Sequence, residues 1–256
     1  MDTSQIKVPT FKRLFLEPLG VTELVNAIPA WSLLESLPRG NGEPVMVVPG
    51  LSTNDMSTEI VRSFLKYKGF SAYGWELGFN VKYTESLEKK LIKRIDELYE
   101  IHRQNVTLIG WSLGGVTIRV LAQHAPEKIK QVIALGAPFS NIKGKTHVSW
   151  WYSLLARESV QKFNPQWTKD AAAQPLMPST AIYSKTDGMV SWEYCIDWVT
   201  GPMTQNVEVF CNHLGFGMTP TVWTILVDRL LQSEDNWQLF DESKLIDIEK
   251  TTVFHI

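Results

Sequence analysis

Six short apolar runs, separated by helix-forming stretches, constrain this chain more than any other feature. They are PVMVVPG (44–50), FSAYGW (70–75), VTLI (106–109), QVIALGAP (131–138), TAIYS (180–184) and NVEVF (206–210). Strands without in–out alternation are buried on both faces, which is the property of a parallel sheet covered by helices. The stretches between them fit that role. DMSTEIVRSFLKYKG (55–69) reads as a helix closed by glycine, and PTVWTILVDRLLQ (220–232) as the last helix. TESLEKKLIKRIDELYEIHRQ (84–104) places Leu87, Leu91, Ile95 and Leu98 on one face, with Thr84 as its cap. A closed barrel needs eight βα units, so six strands favour an open sheet. The expected fold is α/β, an open, mostly parallel, doubly wound sheet. Ligands of such sheets bind beyond the carboxyl ends of the strands, where strand order reverses.

The 256 residues carry no internal repeat or linker, which points to one domain over 1–256. A net charge of −2 gives no electrostatic basis for a nucleic-acid partner. No stretch reaches the 18 or so apolar residues of a membrane span. The apolar LFL at 14–16 is cut short by Glu17 and Pro18, unlike a secretory leader, so a cytoplasmic location is expected. Cys195 and Cys211 lack ligand spacing, so no metal site is expected on them, and the sequence leaves their pairing open. Residues 1–42 form an apolar arm with basic residues near its start. It can lie on a membrane or lipid surface, or fold back on the domain as a helical arm broken at Pro18, Pro29 and Pro38. The prolines favour the second placement.

The third run continues directly into a helix former: VTLIGWSLGGVTIRVLA, 106–122. A Gly-x-Ser-x-Gly turn between strand and helix forces the serine backbone into a strained conformation. Small neighbours two positions away make that tolerable. The turn lifts the Ser112 hydroxyl clear of the sheet and sets backbone N–H groups at a helix N-terminus, ready to hold developing negative charge. Ser112 is therefore the expected nucleophile.

A serine nucleophile requires a base, and the base an orienting acid. A nucleophile activated in this way implies no cofactor or metal. His124 lies twelve residues, about 18 Å, along the helix that begins at Ser112. His102 ends an amphipathic helix, His255 sits at the chain end, and His147 falls in the irregular stretch after GAPFS. His213, in VEVFCNHLGFGMTP, follows the last strand, on the edge where Ser112 emerges, and is the expected base. Asp187 follows a strand in YSKTDGMVSW, with Gly188 permitting a tight reversal, and is the expected acid. Asp197, expected in a helix, and Asp170 are weaker candidates.

Taken in order, VVPGLSTNDMST, GWELGFN, GWSLGG, LGAPFS, YSKTDGMVSW and NHLGFGMTP resemble the α/β-hydrolase superfamily, and within it bacterial lipase- or esterase-like members, over residues 43–240. The Ser112, Asp187, His213 order is the order of that fold. The resemblance implies an oxyanion hole from the backbone N–H groups of Leu51 and Leu113. Pro49-Gly50 stands where the family often has His-Gly, and the first two strands of longer members lack a counterpart. Residues 140–178 correspond to a helical cap insertion. Its Trp150, Trp151 and Leu154, with Trp111 beside the serine, are expected to line a substrate pocket; the same aromatics also suit packing of the cap on the domain. The implied activity is hydrolysis of an ester or thioester of a small apolar acyl compound through an acyl-enzyme on Ser112. The alternatives are an acyltransferase with the same three residues, or a non-catalytic binding module. Oligomeric state is not readable from the sequence.

Overall fold

A computed structural model describes residues 6–141, 164–233 and 235–245. Six strands, β1 (Pro44–Val48), β2 (Ser71–Gly74), β3 (Val106–Trp111), β4 (Ile129–Leu135), β5 (Ser179–Tyr183) and β6 (Thr204–Glu208), form one sheet. Its order is β2-β1-β3-β4-β5-β6, and every pairing is parallel. The strand order reverses between β1 and β3, so the carboxyl ends of those two strands flank the crevice.

Alternate strand residues feed two cores. Val45, Val47, Ile109, Ile133 and Ile182 pack with Phe64 of helix α3 (Glu59–Tyr67) and with Trp223 and Leu226 of α7 (Pro220–Leu230). Met46, Val48, Leu108 and Val132 pack with Leu91, Ile95 and Leu98 of α4 (Glu85–His102) and with Ile118 of α5 (Leu113–His124). Each fully buried aliphatic side chain contributes about 1.5–3 kcal/mol. The Phe64 and Trp223 rings stack at 4.5 Å, joining α3 to α7. Thr84 caps α4 by accepting the Leu87 N–H at 3.1 Å, and Arg103 closes it in the left-handed region. Helix α6 (Pro165–Ala172), within the segment expected to form a helical cap, begins at Asn164, whose side chain accepts the Gln166 N–H.

From Phe11 to Ser36 the N-terminal arm is helical: α1 (Phe11–Leu16), a 3-10 stretch (Glu17–Asn26) and α2 (Ala27–Ser36). Pro18 and Pro29 do not break it as expected, because each sits in the first turn of its segment, where no N–H is needed. Only Pro38 follows a true end. In the 3-10 stretch the period is three, so Glu17, Gly20, Glu23 and Asn26 share one face, and that face is buried. Phe11, Phe15, Val21 and Ile28 point outward, at 70, 81, 57 and 75% exposure. Lys68, itself buried, closes α2 by donating its ammonium to the carbonyls of Leu34, Glu35 and Leu37. Among the described residues no helix is long and apolar enough to cross a membrane.

Arg119 of α5 is a fully buried charge. It donates to both oxygens of Asp197 at 2.7 and 2.9 Å, to the carbonyls of Ala171 and Ala173 and to Ser179 Oγ, and stacks on Phe139. Asp197 lies past a short 3-10 turn (Trp192–Tyr194) rather than in a helix. Asp197→Ala leaves the guanidinium buried without its counter-charge, at a cost of about 3–5 kcal/mol. At about 2–4 °C per kcal/mol for a domain of this size, calorimetry should show Tm falling by about 6–20 °C. A change under about 2 °C would mean that the carbonyls alone hold Arg119.

Candidate active site

The turn from β3 into α5 explains its glycines by close approach. A Cβ on Gly110 would lie 2.4 Å from the Gly114 carbonyl oxygen, and one on Gly114 would lie 2.2 Å from that of Val48. The strand, the helix and the end of β1 therefore fit together only with glycine at both positions. Ser112 between them has φ 53° and ψ −119°, a conformation costing a non-glycine residue on the order of 1–3 kcal/mol. Its N–H donates to the Leu135 carbonyl at 2.9 Å, which fixes the strained peptide to β4.

The loop after β1 runs alongside. A Cβ on Gly50 would sit 3.4 Å from Ser112 Cβ. Asn80, fully buried, locks this loop: its side chain donates to the Pro49 carbonyl, its N–H to Thr53 and its carbonyl accepts from Ser52. Sequence reasoning did not single out Asn80, whose role depends on backbone partners about 30 residues away. The N–H groups of Leu51 and Leu113 donate to no described residue. Leu51 and Leu113 share an apolar cluster with Tyr83, Val116, Phe139 and Trp167.

Asp187 and His213 meet at the same sheet edge. His213 Nδ1 donates to Asp187 Oδ2 at 2.6 Å, and both side chains are almost fully buried. Because a carboxylate only accepts, Nδ1 carries the proton and Nε2 is left as an acceptor. Asp187 Oδ1 accepts the N–H groups of Met189 and Val190, each at 2.8 Å. Burial alone would lower the His213 pKa, but the charge and hydrogen bond of Asp187, with the charge of Glu17, raise it above the ordinary imidazole value. Thr186 ties the two loops together, donating its hydroxyl to the Cys211 carbonyl. Trp111, next to Ser112, donates its indole N–H to the His213 carbonyl at 3.2 Å. Its ring is 7% exposed and packs in the core, so the contact on show is a brace between elbow and histidine loop.

Gly188 does not serve a left-handed reversal. Its φ is not positive, and it is needed because a Cβ would lie 2.5 Å from the backbone of Arg13 in the arm. The other candidates are committed elsewhere. His102 bonds Tyr73, His124 sits between Glu88 and Asp170, and Asp197 holds Arg119. His147, His255, Trp150, Trp151 and Leu154 lie outside the described residues, as does most of 140–178. Cys195 and Cys211 are free, buried thiols, and burial pushes both pKa values up. Among the described residues no cluster of His, Cys, Asp or Glu is arranged to hold a metal ion.

A family model described as alpha/beta hydrolase fold matches residues 90–181, a span that holds Ser112 but ends before Asp187 and His213. No curated protein matches the chain by sequence. Among solved structures, Aspergillus fumigatus lipase B is similar at TM-score 0.63 and 18% identity, over 84% of this chain and 57% of that one. The chain thus spans little more than half of that protein's length. A Paleococcus ferrophilus monoacylglycerol lipase is similar at TM-score 0.53 and 17% identity, over 76% of this chain and 98% of that one. The mature Bacillus licheniformis lipase BlEst2 is similar at TM-score 0.56 and 14% identity, over 76% of this chain and 94% of that one. Identities this low establish a shared fold. With its parallel sheet, its strand order and the family match across the serine turn, the chain has the α/β-hydrolase fold.

Proposed function

We propose that the chain is a serine hydrolase that cleaves a carboxylic ester or thioester of an apolar acyl group. The observation that carries this is the buried 2.6 Å Asp187–His213 pair, braced through Trp111 against the strained Ser112. A buried imidazole oriented through Nδ1, with its carbonyl tied to the residue before a strained serine, has little use in a module that only binds. Among the described residues Ser112 makes no hydrogen bond to His213, and such pairs commonly tighten only when substrate is bound.

In the proposed reaction, His213 Nε2 takes the Ser112 proton as Oγ attacks the acyl carbon. The carbonyl oxygen becomes an oxyanion and accepts from the Leu51 and Leu113 N–H groups. His213 then gives its proton to the leaving alcohol or thiol, and the C–O or C–S bond breaks. Water, deprotonated by His213, attacks the acyl-enzyme and releases the acid and Ser112. The apolar cluster of Leu51, Tyr83, Phe139 and Trp167 beside the serine supports an apolar acyl chain. The relatives in fold that are named lipases favour the same class. The outward apolar side chains of the arm suit contact with a lipid surface on which such esters reside.

A fluorophosphonate probe followed by peptide mass spectrometry tests the assignment. The adduct is expected on the peptide holding Ser112, together with hydrolysis of p-nitrophenyl esters that varies with acyl length. Folded protein giving neither adduct nor hydrolysis would leave the binding module. An acyl-enzyme that partitions to added alcohol in preference to water would make the chain an acyltransferase.

A further inference from the structure

We propose that Glu17 is a positioning residue of the active centre, clamping the acid loop to the histidine loop from the N-terminal arm. This rests on the Ser112, Asp187, His213 assignment above. Glu17 Oε1 accepts the N–H of Gly188 at 2.6 Å, and Oε2 accepts the N–H of Leu214 at 3.0 Å. Those amides follow Asp187 and His213 directly in the chain, so one carboxylate sets the spacing of both side chains that must stay in register. Glu17 is 3% exposed, and both of its oxygens accept backbone donors, which is the pattern of the ionised form.

The arm is fitted for this position. Asn212 donates its amide to the Leu16 carbonyl, and Ser191 its hydroxyl to that of Lys7. A Cβ on Gly20 would lie 2.1 Å from Asn212 Oδ1, so the arm closes on the histidine loop only with glycine there.

Burial raises the Glu17 carboxyl above its ordinary value; the His213 charge offsets this in part, and the Asp187 charge adds to it. The Glu17 charge in turn supports the imidazolium that forms when Ser112 loses its proton. The charged groups around this pair are Asp187 on the acid loop and Glu23 on the arm, whose side chain approaches Gly215. On the outer side Lys7, Arg13, Lys185 and Glu193 border a surface pocket with Asp187.

Glu17→Gln and Glu17→Asp in the full chain test the clamp, using p-nitrophenyl butyrate turnover against pH, with active sites counted by the fluorophosphonate probe. The Gln variant removes the charge and turns one acceptor into a donor facing a backbone N–H. Its kcat per labelled site should fall by about 10–100-fold with KM little changed, as small misplacement of reacting groups does. The acid limb of its pH profile should move to lower pH, because His213 loses a charge that raises its pKa. The Asp variant keeps the charge but is one methylene too short to reach both amides. It should lose kcat while its acid limb stays near that of wild type. A lower Tm with kcat per labelled site and acid limb both unchanged would make Glu17 a fastener of the arm and overturn the proposal. If the Gln variant does not fold, an unchanged kcat per site in the Asp variant overturns it alone. Wild-type protein that takes no label at Ser112 would instead sink the triad, and this proposal with it.

Discussion

Ser112→Ala is expected to lower ester hydrolysis by on the order of 10⁴-fold or more while leaving the fold intact. The hydroxyl is the only group in the proposed mechanism that forms a covalent bond to substrate. It makes no hydrogen bond to a described residue that would hold the fold together, so its loss removes little packing. Alanine also inherits the same strained backbone, since φ 53° is imposed by the close approach of β1, β3 and α5 around Gly110 and Gly114. Ser112→Gly should be equally inactive but melt higher than Ser112→Ala, because glycine accepts positive φ without the strain of about 1–3 kcal/mol. Residual activity above a few per cent of wild type in purified Ala variant would remove Ser112 from the chemistry. Equal melting of the Ala and Gly variants would mean that the turn stores no strain.

Much of this arrangement was legible before the structure. Val45 and Val47 face one core and Met46 and Val48 the other, so the absence of polar alternation carried the parallel sheet directly. The Gly-x-Ser-x-Gly turn was legible because close backbone approach leaves no alternative to glycine. Strand ends then placed Asp187 and His213 on the same edge as Ser112. The arm was not legible in the same way. An eye for apolar faces assigns Leu19, Val21 and Val25 to the core, yet these point outward and Glu17, Glu23 and Asn26 are buried. A 3-10 period of three selects that face, and nothing local announces it. The partners of Glu17 are backbone amides 171 and 197 positions away, and backbone amides carry no sequence signature. Gly188 misled for a related reason. An Asp-Gly pair suggests a turn, whereas this glycine makes room for a chain segment from the other end of the molecule.

Asp187→Asn and His213→Ala are each expected to reduce turnover about a thousandfold or more, and their combination to cost little beyond the worse single change. The Asn effect follows from the hydrogen bonds. Asp187 Oδ1 is held by the Met189 and Val190 N–H groups, so the amide oxygen of asparagine takes that place and its NH₂ faces His213 Nδ1. Two donors cannot share one contact, and the imidazole shifts its proton to Nε2. In that tautomer Nε2 has no lone pair for the serine proton. The pH profile carries a second signature. Only neutral His213 accepts a proton, so activity falls as pH drops through its pKa, and Asp187 raises that pKa above the ordinary imidazole value. In wild type the acid limb therefore lies above the ordinary value, and in the Asn variant the residual activity should hold to lower pH. Near-wild-type turnover of Asp187→Asn would remove Asp187 from the orienting role, and Asp197, bound to Arg119, and Asp170, bound to His124, are committed elsewhere. Full additivity in the double variant would show that Asp187 and His213 act independently, and the triad would lose one of them.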